Sequence, residues 1–97
     1  MAEPLLSEDT ATLVQGYMRS CALSYGAERF GQLTVCAKTG TAQVEGQSKP
    51  NAMLTGFVSD PDYPLAFIVC VEDAGYGSSV AIPIAGKVLD ACKAYME

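Results

Sequence analysis

Apolar residues fall along this chain in blocks whose period changes, and each change marks an element. Over residues 7–25 the apolar positions Leu13, Val14, Tyr17, Met18, Cys21, Ala22 and Tyr25 recur at helical spacing, while Glu8, Gln15, Arg19 and Ser20 fall off the stripe. Ser7 is placed to cap this helix, with Glu8 and Asp9 at the positive end of its dipole and Gly26 positioned to end it. From Leu33 to Val44 the string LTVCAKTGTAQV is rich in Thr and Val and reads as a strand; a second strand runs from Ala52 to Val58. The segment 59–64 between this strand and the next carries two prolines, which stop pairing. Leu65 to Val71 is apolar at every position, the pattern of a strand covered on both faces.

Residues 72–79 form a glycine-bearing loop, and 80–96 return to helical period with a stripe of Ala81, Ile84, Ala85, Val88, Leu89, Cys92 and Tyr95. Pro83 fits such a helix only in its first turn. Tyr17, Tyr25 and Tyr95 lie on helical stripes, so they are expected in the core with their hydroxyls at its rim. The order helix, three closely connected strands, helix predicts an α+β fold. Its sheet is a three-stranded antiparallel meander, and the two helices are available to cover its faces.

Composition narrows the function. With 97 residues, 49% of them hydrophobic, the chain is a single domain with one core and little room for an enclosed active site. Six Lys and Arg against eleven Asp and Glu give a net charge of -5, and the cations are scattered, which argues against nucleic acid or an anionic membrane surface as partner. There is no His, so a Ser-His-Asp triad, a Cys-His dyad and a His-bound metal are excluded. Cys21, Cys36, Cys70 and Cys92 form no CxxC pair, and their apolar neighbours suggest buried free thiols rather than disulfides. The longest apolar run, 64–71, is too short for a membrane helix, and Met1-Ala2-Glu3-Pro4 lacks the character of a signal peptide.

One cluster is odd for a purely structural strand. Lys38-Thr39-Gly40-Thr41 places a cation and a glycine in mid-strand. Two readings stand side by side: an edge strand protected by its lysine with a bulge at Gly40, or an edge that takes an extended ligand. In the second reading Gly40 allows close approach, Lys38 supplies charge, and Thr39 and Thr41 offer donors to a carboxylate or oxyanion. Other candidates are weaker. Residues 31–39 miss the second glycine and the lysine spacing of a phosphate loop, Gly75-x-Gly77 lacks the third glycine of a dinucleotide turn, and Glu72-Asp73 is best read as a solvated strand end.

The string Ala37-Lys38-Thr39-Gly40-Thr41-Ala42-Gln43, then Leu54-Thr55-Gly56-Phe57-Val58, an apolar strand ending Val71-Glu72-Asp73, a glycine-rich loop and Ala81-Ile82-Pro83-Ile84-Ala85 opening the last helix together resemble the C-terminal part of a penicillin-binding protein transpeptidase domain. The order and spacing match along most of the chain. That family's chemistry rests on Ser-x-x-Lys, Ser-x-Asn and Lys-Thr/Ser-Gly motifs, and of these the sequence holds only the last.

The resemblance implies a role for each residue of this motif. Lys38 would aid proton transfer and attract a substrate carboxylate, Thr39 would hydrogen-bond that carboxylate, Gly40 would let the ligand backbone lie against the strand, and the Thr41 amide would be one of two oxyanion donors. It implies a serine D,D-transpeptidase parent that cross-links peptidoglycan, membrane-anchored with this domain outside the membrane, using no metal or cofactor and binding a stem peptide or a β-lactam. The chain is then expected to be a fragment that is inactive alone. Its partner would be the missing N-terminal part of the domain, and self-association through the open edge of the third strand would replace that part in isolation. Two alternatives share the scaffold: a non-catalytic module binding a carboxylate-bearing peptide, and a fragment of a serine β-lactamase.

Overall fold

A computed structural model describes residues 3–97; Met1 and Ala2, which open the string with no signal-peptide character, lie outside the described residues. Helix α1 spans Glu8–Tyr25 and begins where the capping residue requires, the Ser7 side chain accepting the Thr10 amide at 3.1 Å. It ends at Gly26, whose φ of 107° is open to glycine and strained for other residues. A short 3₁₀ turn, Ala27–Phe30, buries Phe30 and leads into the sheet.

Strands β1 (Val35–Ala42), β2 (Asn51–Val58) and β3 (Ala66–Val71) form an antiparallel meander in that order, and helix α2 (Gly77–Met96) follows. The α+β class and the helix, sheet, helix order read from the sequence therefore hold. β1 and β2 pair without interruption from Val35 opposite Val58 to Ala42 opposite Asn51, so there is no bulge at Gly40.

The period of two sorts the sheet into unequal faces. On one, Val35, Ala37, Leu54 and Val58, joined by Phe67 and Val69, pack on Ala81, Ile82, Ala85 and Leu89 of α2 and on Phe30 and Ala22. Burying a side chain such as Leu54, Ile82 or Leu89 contributes about 1.5–3 kcal/mol each, so this layer is the main source of stability. On the other face Lys38, Thr55, Ile68 and Cys70 meet solvent. β3 thus alternates exposed and half-buried residues instead of being covered on both sides, and Ile68 is 68% exposed. The reason lies in the helices: α2 lies over the core face, whereas α1 packs along β1 and leaves the back of β3 open.

The helical stripes also differ from the expected ones. In α1 only Ala22 is buried; Leu13, Val14 and Tyr17 are exposed, because only the C-terminal part of the helix reaches the core. Tyr95 is 91% exposed near the end of α2, so of the three tyrosines only Tyr25 packs against the core. α2 starts three residues before the expected boundary, which places Pro83 inside the helix on its exposed side rather than in the first turn. Its buried side comprises Gly77, Ala81, Ile82, Ala85, Gly86 and Leu89, so the stripe is rotated to include Ile82 and to exclude Ile84 and Val88. Gly86 explains the rotation: its Cα faces the Arg29 carbonyl so closely that a Cβ would collide with it. The four cysteines are free thiols, but only Cys36 is buried, and Cys70 is exposed on the open face.

Candidate active-site strand

Residues Lys38, Thr39, Gly40 and Thr41 occupy the middle of β1, an edge strand whose neighbour on one side is β2. Its other edge is partly occupied by α1. Arg19 donates from Nη1 to the Val35 carbonyl at 2.7 Å, and the Thr39 amide donates to the Tyr25 hydroxyl at 3.1 Å. Because Thr39 gives its amide away from β2, Thr39 and Leu54 form a non-hydrogen-bonded pair of the ladder. Residues two apart on a strand point the same way, so the Thr41 amide also leaves by the outer edge, beyond the last side chain α1 contributes. Thr41 is exposed there.

The side chains around this amide have distinct surroundings. Lys38 is exposed and its Nζ donates to the Thr39 carbonyl at 2.8 Å, so the ammonium bends to the same outer edge although its Cβ belongs to the open face. Thr39 is half-buried, and its hydroxyl lies 3.2 Å from the Tyr25 hydroxyl. A Cβ added at Gly40 would meet Met53 Cβ at 3.6 Å, an ordinary contact, so the fold itself does not demand glycine at this position. The space above Gly40 belongs to a shallow depression of about 310 Å³ over Lys38, Met53, Thr55 and Ile68. This edge can therefore offer an outward amide, a hydroxyl and an ammonium within one short stretch of strand, a set suited to an anionic or oxyanionic ligand atom.

Two glycines to which the sequence assigned no packing role position this strand. Gly77, at the start of α2, rests on the sheet so tightly that a Cβ would stand 2.6 Å from the Met53 carbonyl oxygen and 2.9 Å from that of Gly40. Gly56 on β2 would bring a Cβ within 2.5 Å of the Cys36 carbonyl oxygen and 2.7 Å of the Phe67 ring. Behind the strand, burial raises the pKa of the Cys36 thiol, with Arg19 and a hydrogen bond from Ser59 opposing the shift. Asp73 is exposed just beyond the end of β3, as expected of a solvated strand end, and it also serves the architecture. Its Oδ1 accepts the Lys49 amide at 2.7 Å and so ties the end of β3 to the β1–β2 connection.

Among the described residues, no helix is long and apolar enough to cross a membrane. Comparison with curated proteins and with solved structures gives no match. The family model of the penicillin-binding protein transpeptidase domain matches residues 2–90, which includes both helices in large part and all three strands. The chain accordingly belongs to the penicillin-binding protein transpeptidase domain family.

Proposed function

We propose that this chain supplies the Lys-Thr-Gly wall of a D,D-transpeptidase active site, and that it is a C-terminal portion of such a domain. The observation that carries this reading is the outward amide of Thr41 on the unoccupied stretch of β1, with Lys38 and Thr39 beside it. Lys38 attracts the carboxylate of a peptidoglycan stem peptide or a β-lactam, Thr39 hydrogen-bonds it, and the Thr41 amide donates to the developing oxyanion as one of two donors. One such donor is worth about 10² to 10³ in rate. The nucleophilic serine and its proton-transfer partners come from the remainder of the domain, in a parent anchored to the membrane and acting on the cell wall.

The chain alone is then inert toward acylation. Incubated with a fluorescent penicillin, it should form no covalent adduct, whereas amide shifts at Lys38 to Thr41 should appear in a nitrogen-proton correlation spectrum as the penicillin is titrated. A stoichiometric covalent adduct on the isolated chain overturns the assignment. Absence of any shift along β1 overturns the binding role.

The open side of β3 supports a second part of the proposal. Ile68 and Cys70 on one face and Ile84 and Val88 beside Phe67 and Val69 on the other leave apolar surface on both sides of an unpaired strand edge. In the longer protein that edge pairs with the rest of the sheet; in isolation a second copy covers it. Sedimentation should show concentration-dependent association, and a stable monomer at high micromolar concentration rules it out.

A further inference from the structure

Tyr25 is the last residue of α1, yet its hydroxyl meets a residue on β1 fourteen positions later through two atoms. It lies 3.1 Å from the Thr39 amide nitrogen and 3.2 Å from Thr39 Oγ1. Its ring packs against the core cluster and Gly26 turns the chain away immediately after it, so the hydroxyl is held by a fixed body. One proton at this junction is fixed and acidity favours a place for the second. An amide can only donate, so the Tyr25 oxygen accepts from Thr39 N. Between the two hydroxyls either oxygen can be the donor; the phenol is the stronger acid, which favours its proton going to Thr39 Oγ1. Thr39 then keeps its own hydroxyl proton, and no other acceptor engages it among the described residues.

We propose that Tyr25 is a positioning residue for Thr39: by accepting the threonine amide and donating to its hydroxyl, it fixes the side chain and leaves the Thr39 proton directed at a ligand carboxylate. The inference rests on the reading of β1 as a carboxylate-binding strand and adds to it the group that sets the donor's direction. A carboxylate can only accept, so it is matched to a threonine hydroxyl already satisfied as an acceptor. Linked hydrogen bonds also polarise one another, which strengthens the terminal donor. With Tyr25 replaced by phenylalanine, the ring and its packing remain, but the Thr39 hydroxyl turns freely and its amide loses its partner.

Two measurements test this. In the ligand-free chain, Tyr25→Phe should accelerate hydrogen exchange at the Thr39 amide about tenfold or more while leaving the Thr41 amide unchanged; equal Thr39 exchange in the two proteins overturns the proposal. The second follows β1 amide shifts during titration with N-acetyl-D-alanyl-D-alanine and with its C-terminal amide, which lacks the charged carboxylate. The wild type should prefer the acid. Tyr25→Phe and Thr39→Val should each reduce that preference about three- to tenfold, Thr39→Ser should retain it, and the double variant should lose no more than Thr39→Val alone. An undiminished preference in folded Tyr25→Phe overturns the orienting role. A wild-type chain that shows no preference for the acid refutes the carboxylate reading of β1 and the ligand half of this proposal with it, while the Thr39 exchange result still decides whether Tyr25 holds the strand.

Discussion

Gly77 at the head of α2 sits directly against Gly40 of β1, its hypothetical Cβ 2.9 Å from the Gly40 carbonyl oxygen. The two glycines are nonetheless needed for different reasons, and substitution separates them. Gly77→Ala must push the helix away from two backbone carbonyls that cannot rotate aside, and overpacking of this kind costs about 1–3 kcal/mol. Gly40→Ala meets only Met53 Cβ at contact distance and has no positive φ to strain, so it should change stability by less than about 1 kcal/mol in either direction. Urea denaturation of the two variants checks the contrast. If Gly40→Ala retains stability while abolishing the penicillin-induced shifts along β1, the glycine serves ligand approach; equal destabilisation by both substitutions contradicts this.

The cysteines should react in the order of their surroundings. Cys70 is exposed on the open face, whereas Cys36 is 1% exposed and burial holds its thiol protonated beyond the usual range. Iodoacetamide should therefore modify Cys70 first and Cys36 last, at a rate that follows unfolding. The raised folded-state pKa of Cys36 also gives a pH dependence. Stability from keeping this thiol neutral is fully present below the unfolded-state value of about 8.5 and is lost as pH rises through the higher folded-state value. Cys36→Ala should flatten the alkaline fall in stability measured by denaturation above about pH 8.5, and a fall of unchanged size would show that another group causes it.

Much of the fold is written in local signals, and what was not legible depends on distant contacts. Ser7 and Gly26 bound α1 because a cap and a left-handed residue act on their own neighbours. The strands were readable for the same reason, apart from one or two residues at their ends. Whether β3 was covered could not be read from it, since an all-apolar run has no alternation to reveal which of Phe67 and Ile68 faces the core. The rotation of α2 is set by the fit of Gly86 against Arg29, a contact between segments far apart in sequence. At the site, the motif resemblance named Lys38, Thr39, Gly40 and Thr41, but nothing in the spacing announces that Arg19 and Tyr25 occupy the same strand edge. Helical period placed Tyr25 in the core, and its hydroxyl partner emerged only from the packing of α1 along β1.

Ile68 separates stability from association. At 68% exposure it contributes little to the core, so Ile68→Lys should alter the unfolding free energy by no more than about 0.5 kcal/mol. A charge in the middle of the open face should, however, oppose a second copy seated on β3. Sedimentation of the variant should show weaker association than the wild type at equal concentration. Unchanged association would place the contact elsewhere on the molecule.

Asp73 ties the end of β3 to the part of the β1–β2 connection that leads into β2, and it does so with a backbone that few residues adopt. Its φ is 50°, in the left-handed region where aspartate and asparagine are tolerated better than most side chains. From that conformation Oδ1 accepts the Lys49 amide at 2.7 Å and its own amide donates to Asn51 Oδ1 at 3.1 Å, while the next two amides, of Ala74 and Gly75, both reach the Pro50 carbonyl at 3.1 Å. Asp73→Ala removes the carboxylate and keeps the strained backbone, so it should cost about 1–3 kcal/mol. Asp73→Asn keeps an acceptor oxygen and the tolerance for this φ, and should recover most of that loss. Asp73→Gly relieves the backbone but restores no acceptor, so it should fall between the two. Denaturation midpoints of the three variants test this ranking, and hydrogen exchange at the Lys49 amide gives an independent reading: fast in alanine and glycine, slow in asparagine and the wild type. Exchange at Lys49 that is equally slow in all four proteins would show that the carboxylate does not hold the β1–β2 connection.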